Sequence, residues 1–298
     1  MKNKLSGSIM LLLATVIWGS AFVSQNIAMK YMGPFSFQAI RCTLAVIGLI
    51  PVVAIFDCLS KDGKTFLSGW ADKKLWLAGI LCGIPLFLAC NLQQVSLVDT
   101  DPGKSGFLTA MYIVTVPLFG IFRKKKPSIM VPISVVLAVI GLYFLSCVGV
   151  TSISTSDLLI LACALMFAVQ ITFVDIFAPD VDALRLNTIQ ALVCAILSAC
   201  LAVFTAEKVT WTGILDCALP LAHVGFLSMG AGYALQIMGQ KHVEPTTSSL
   251  IMSLESVFAV IFEMLILHQF MNTWETLGCT LVFVAVILSQ IEPKKKSA

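Results

Sequence analysis

The chain has 298 residues, of which 58% are hydrophobic and only 12% charged, with a formal net charge of +3 and a positive mean hydropathy. So little polar surface cannot coat a water-soluble globule of this size, and the composition points to a lipid bilayer. The basic residues cluster between apolar runs instead of lining one face, which argues against a nucleic-acid partner.

Taken in order, ten apolar segments are long enough, or nearly so, to cross a bilayer at about 20 residues each. They cover 5–24, 34–56, 74–94, 103–122, 127–147, 154–174, 184–205, 213–235, 245–267 and 273–291. The expected fold is therefore an all-α integral membrane protein of ten transmembrane helices. Lys2 and Lys4 before the first run resemble the start of a signal peptide, but that run continues through Trp18, Phe22 and Val23 without a cleavage pattern, so it reads as a retained helix. The fourth segment is the shortest, cut off by Arg123-Lys124-Lys125-Lys126.

Basic residues test this count. With both termini cytoplasmic, the inner side holds Lys2, Lys4, Lys61, Lys64, Lys73, Lys74, Arg123 to Lys126, Arg185, Lys241 and Lys294 to Lys296, whereas the outer side holds only Lys30, Lys104 and Lys208. Positive charge gathers on the cytoplasmic side of membrane proteins, and a wrong helix count scrambles that bias.

Ten helices divide into five and five at the polar connector Gly149-Val150-Thr151-Ser152-Ile153-Ser154, giving units 1–149 and 150–298. Because five is odd, two homologous units must lie in the membrane with opposite orientation, an inverted repeat. An offset of 143 residues places Gln93 on Gln236, Asp101-Pro102 on Glu244-Pro245 and Tyr112 on Glu255. A weaker offset near 149 puts Trp18 near Phe167 and Arg41 near Gln190.

Trp18-Gly19-Ser20-Ala21-Phe22, Gly33-Pro34-Phe35 leading to Arg41, the run from Phe107 to Leu118, Gln236 to Lys241, and Ser253 to Ala259 together resemble the EamA-type members of the drug/metabolite transporter superfamily. The resemblance spans nearly the whole chain. It implies a ten-helix antiparallel duplication that moves small metabolites across the bacterial cytoplasmic membrane, usually outward. Two positions depart from the pattern: Ser256 stands where many members have proline after the glutamate, and Gln269 lies near a common Gly-Glu pair. The proline kink of helix nine is therefore not carried over.

Ionisable and polar groups at depth supply the candidate site. Glu255 lies ten residues past Pro245, or about 15 Å deep in a core of roughly 30 Å, and Tyr112 is equally deep on helix four. An ionisable group at that depth is usually functional. Glu255 is expected to couple protons or meet a cationic substrate; the competing reading is a protonated carboxyl bonded to a neighbouring helix or paired with Arg41. Glu263 is a secondary candidate, for an exit path or a snorkelling side chain. Arg41 needs an anionic or carbonyl partner, either as an outer gate or as an anchor for a substrate carboxylate. Asn91, Gln93, Gln170, Gln190 and Gln236 can recognise a substrate or bridge helices, about half being expected to face the cavity. Trp18 and Tyr112 add aromatic walls or packing.

The helix starts at Asp101-Pro102 and Glu244-Pro245 read as mainly structural, with proline pre-set for the first turn and an acid complementing the dipole. Gly103-Lys104-Ser105 lacks the upstream glycine of a phosphate loop, since Val98 stands there. The ten cysteines form no Cys-x-x-Cys pair and the three histidines are scattered, so neither a metal nor a cofactor is expected. No nucleophile motif of an intramembrane enzyme is present. The expected function is secondary transport of a small molecule such as an amino acid or drug-like compound, by alternating access and with proton coupling. A lipid flippase is the alternative.

Overall fold

The computed structural model describes residues 2–59, 66–122, 130–146, 154–268 and 271–289. The Arg123 to Lys126 run, Lys61, Lys64, Cys147, Gln269, residues 149–153 of the expected connector and Lys294 to Lys296 lie outside the described residues.

The described chain is helical, with no strand. Its elements are α1 (Lys2–Ala28), α2 (Pro34–Leu59), α3 (Phe66–Gly69), α4 (Lys73–Ser96), α5 (Pro102–Ala110), α6 (Tyr112–Phe122), α7 (Met130–Ser146), α8 (Thr155–Phe177), α9 (Ala183–Phe204), α10 (Trp211–Asp216), α11 (Ala218–Ala222), a π-helical segment (His223–Gly232), α12 (Tyr233–Gln240), α13 (Pro245–Met252), α14 (Leu254–Leu267) and α15 (Thr273–Ser289). Where helices continue into one another, eight described stretches are long and apolar enough to cross a membrane, against the ten expected. The other two, Met130–Leu145 and Thr273–Ser289, are apolar but shorter.

The expected eighth segment, 213–235, is displaced. Its first residues form the separate helix α10, and the continuous stretch runs Ala218–Gln240 through the π-helical turns. Those wide turns contain Gly225, Gly230 and Gly232, and nothing in apolar periodicity marks them in advance. The fourth and ninth segments are each interrupted, after Ala110 and after Met252, without an internal proline at the break. Around the second break serine hydroxyls replace it. Ser249 Oγ donates to Thr246 O at 2.9 Å, Ser253 Oγ to Leu250 O at 2.7 Å and Ser256 Oγ to Ser253 O at 2.7 Å. Such back-bonding competes with the helical ladder and bends it.

Helix pairs pack by removing side chains where backbones meet. α7 lies against α15, where Gly141 faces Gly278, and α1 crosses α14 at Gly19, whose missing Cβ would sit 2.3 Å from Phe258 Cβ. α2 packs on α9, and α4 packs on both α8 and α9. Asp101 and Glu244 are N-caps with proline following, but neither side chain bonds its own helix. Their carboxylates lie where the helix dipole favours negative charge.

Carboxylates from elsewhere in the chain fasten several helix ends. Glu207 accepts from Phe35 N at 3.2 Å and Ser36 N at 2.7 Å, at the start of α2. Glu263 Oε2 accepts from Gly103 N at 3.1 Å, at the start of α5, while the next residue, Lys104, pairs with Asp157 at 2.7 Å. At another end, Arg185 pairs with Asp57 at 2.5 Å and stacks 5.5 Å from the Trp70 ring centroid. Lys241, between two spans, donates to Val181 O at 2.8 Å, and burial pushes its ammonium pKa below the usual value.

Candidate functional site

The helices line a pocket to which α1, α2, α4, α6, α8, the π-helical segment, α12, α13 and α14 all contribute side chains. One face of α1 supplies Trp18, Ala21, Phe22 and Gln25, whose spacing of three, four and seven residues is that of one helical stripe. The Trp18 ring lies 5.0 Å from Tyr233, and its Nε1 donates to Ser228 O at 3.3 Å. Gly232 makes room for that indole: a Cβ there would lie 2.7 Å from Trp18 Nε1.

Arg41 reaches the cavity from α2 and is only 3% exposed. Its Nη1 donates to Gln25 Oε1, and its Nε has no partner. Of the partners expected for Arg41, the carbonyl is present as Gln25 Oε1, whereas among the described residues Arg41 makes no ion pair with Glu255 or any other acid. A buried guanidinium held by one neutral amide retains unused donors, which a bound anion can take up.

Glu255 is the second residue of α14, two past the break at Ser253, and Tyr112 opens α6 directly after the break at Met111. Both side chains line the cavity, and Tyr112 OH donates to Glu255 Oε1 at 3.0 Å. The carboxyl is thus bonded to a neighbouring helix and at the same time presented to the cavity.

Of the five candidate amides, Gln93, Gln170 and Gln236 line the cavity. Gln93 Nε2 donates to Thr109 Oγ1 at 2.9 Å. Asn91 and Gln190 are not in the lining. Asn91 Nδ2 donates to Phe87 O and Ser198 Oγ, both at 2.8 Å, tying α4 to α9. Gln190 bonds Gln170 from behind, at 3.3 Å. Glu263 is likewise outside the lining, its carboxylate engaged at the start of α5. The outward distance of Glu263 from Glu255 suggested an exit path, whereas its contact is a helix terminus.

Gln25, Ser228, Tyr233 and Met252 also line the cavity and were not among the expected site residues. Two were findable: Gln25 lies seven residues after Trp18, and Tyr233 lies 143 residues after Cys90 and one turn before Gln236. Ser228 enters through the π-helical turns, which carry no such signal. No group of three or more His, Cys, Asp or Glu side chains could hold a metal among the described residues.

The model of the EamA-like transporter family matches the chain twice, over residues 5–147 and 154–290. The chain belongs to that family. Among its relatives, an uncharacterized transporter of Archaeoglobus fulgidus is 31% identical over 293 residues, covering 96% of this chain and 86% of the relative. The uncharacterized transporter YrdR of Bacillus subtilis is 27% identical over 143 residues, 45% of this chain and 41% of that protein. A solved crystal structure superposes with a TM-score of 0.77 over 96% of both chains at 17% identity, a likeness of fold. This EamA-like protein is a multi-pass membrane transporter. Its cavity draws Trp18 to Tyr112 from the first matched stretch and Phe167 to Glu255 from the second.

Proposed function

We propose that this transporter exports a small metabolite from the cytoplasm by alternating access, with α7 and α15 completing ten membrane helices arranged as two inverted units, 1–149 and 150–298. Both termini are then cytoplasmic, in a bacterial inner membrane. Two separate family matches support the duplication. So do two contacts between residues 143 apart, Tyr112 with Glu255 and Cys90 with Tyr233, since equivalent positions of a twofold repeat meet only near its axis.

The observation that carries the reading is a cavity holding both a carboxyl and a guanidinium that are not paired with each other. Such a cavity suits a zwitterion like an α-amino acid, its carboxylate at Arg41 and its ammonium towards Glu255 and Tyr112, against the Trp18 and Tyr233 rings. The driving force in this reading is an ion gradient. Glu255 is the candidate proton carrier, because its proton and the substrate ammonium compete for the same carboxyl.

The test is uptake of labelled amino acids into proteoliposomes driven by an imposed proton gradient, comparing wild type with Glu255→Gln. Gradient-driven flux is expected to vanish in the variant while the protein stays monodisperse. Undiminished pH-driven flux in Glu255→Gln refutes the coupling role. Translocation of labelled lipid without any amino acid flux would favour a flippase.

A further inference from the structure

Behind the cavity, five side-chain amides from three helices form two chains whose polarity is fixed at both ends. Asn187 Nδ2 donates to two backbone carbonyls of the π-helical segment, Met229 O at 3.1 Å and Gly230 O at 2.8 Å. A carbonyl can only accept, so the nitrogen of Asn187 must point there. Its Oδ1 then accepts from Gln190 Nε2 at 2.9 Å, Gln190 Oε1 accepts from Gln170 Nε2 at 3.3 Å, and Gln170 Oε1 accepts from Gln236 Nε2 at 3.1 Å.

A second chain arrives from the other side. Gln240 Nε2 donates to Ile171 O at 3.1 Å, again a backbone carbonyl, so its Oε1 faces Gln236 and accepts from Gln236 Nε2 at 2.9 Å. Both hydrogens of the Gln236 carboxamide are therefore consumed. All five amides are at most 4% exposed. What remains is Gln236 Oε1, buried and without a partner, on a side chain that lines the cavity. Flipping Gln236 would set its oxygen against two other oxygens, and flipping any neighbour would set an oxygen against a backbone carbonyl or its own neighbour's oxygen. The orientation is over-determined.

We propose that Gln236 Oε1 is a dedicated hydrogen-bond acceptor for the transported molecule, which therefore presents an N–H or O–H donor at that point, in an amino acid one of the three N–H groups of its ammonium, and that Gln190 and Gln240 are positioning residues that hold this polarity from outside the substrate's reach. The proposal rests on the transport reading above and narrows its substrate. A buried acceptor left unpaired is costly, so a ligand lacking the donor is rejected even where it fits by shape.

The experiment compares L-phenylalanine with its N,N,N-trimethyl betaine in counterflow, for wild type, Gln236→Leu and Gln190→Leu. Wild type should prefer the N–H-bearing member by about fivefold or more. Both variants should lose that preference, Gln190→Leu because Gln170, released from its anchor, can turn its nitrogen towards Gln236. A merely structural role would slow both probes alike and leave the ratio unchanged, which would overturn the proposal. A second measurement needs no substrate. With ¹⁵N-glutamine label in nanodiscs, the carboxamide protons of Gln236, assigned by their absence in Gln236→Leu, should be protected from exchange, and Gln240→Leu should expose one of them. Freely exchanging Gln236 protons in the wild type overturn the polarity argument. Protected protons with neither probe transported would instead sink the amino acid reading and leave the polarity standing.

Discussion

Gly278 and Gly120 make a matched pair in which one substitution should act in opposite directions. At Gly278 an added Cβ would stand 2.5 Å from both Gly141 O and Leu145 N and 2.8 Å from Leu145 Cα, all backbone atoms of α7. Ordinary carbon contacts lie at about 3.5–4.0 Å, so the two helices must separate by roughly 1 Å. No rotamer can relieve the clash, because the obstacle is main chain. Overpacking of that kind costs about 1–3 kcal/mol, against a helix-propensity gain of roughly 0.5–1 kcal/mol for Gly→Ala. At Gly120, in α6, the same Cβ meets nothing within 4 Å among the described residues, so only the propensity gain remains. Gly278→Ala should therefore be less stable than Gly120→Ala by about 2 kcal/mol, or about 4–8 °C in unfolding temperature. Thermal unfolding in one mild detergent reads the difference. Equal temperatures for the two variants would refute the close α7–α15 crossing.

Two further predictions concern the helix-end fasteners. Arg185→Leu removes the guanidinium that pairs with Asp57 and should lower the unfolding temperature, whereas the double variant Arg185→Leu/Asp57→Leu should recover part of that loss; a double variant as unstable as the single would show the pair is not the reason. Glu207→Ala removes the acceptor for two backbone N–H groups at the start of α2 and should cost about 1 kcal/mol, with Glu207→Gln milder because one oxygen remains, both read by the same thermal assay.

Much of the architecture was legible because a bilayer imposes a simple rule: long apolar runs between charges become helices. Glu255 and Tyr112 could be found from depth and repeat alone, and the structure brings them into hydrogen-bond contact. What escaped depends on local backbone departures that hydropathy does not encode. The breaks before Tyr112 and Leu254, which present the two side chains to the cavity, come without proline, and the second coincides with serines that bond back onto their own helix. The π-helical turns shifted the eighth stretch and brought Ser228 into the lining. Polar residues at equal depth also proved unequal. Gln93 meets the cavity while Asn91, two residues earlier on the same helix and so on another face, bridges to Ser198.

The proposed repeat makes a demand on the Tyr112–Glu255 contact that no single-chain argument would. If residues 143 apart are equivalent and touch, they sit near the twofold axis, where an undiverged repeat would set each residue against its own copy. Two carboxyls within hydrogen-bond reach cannot both ionise, whereas a phenol and a carboxyl give one donor and one acceptor, satisfied at 3.0 Å. Near an axis the two positions are also interchangeable. Exchanging them, in Tyr112→Glu/Glu255→Tyr, should therefore keep the contact and most of the stability, while Tyr112→Glu alone opposes two acids and should be the least stable of the set. The comparison is a thermal double-mutant cycle at a pH where free carboxyls are ionised. A swapped protein that loses as much as the two single substitutions added together would mean that α6 and α14 do not meet about such an axis, and the inverted arrangement would lose its support from this contact.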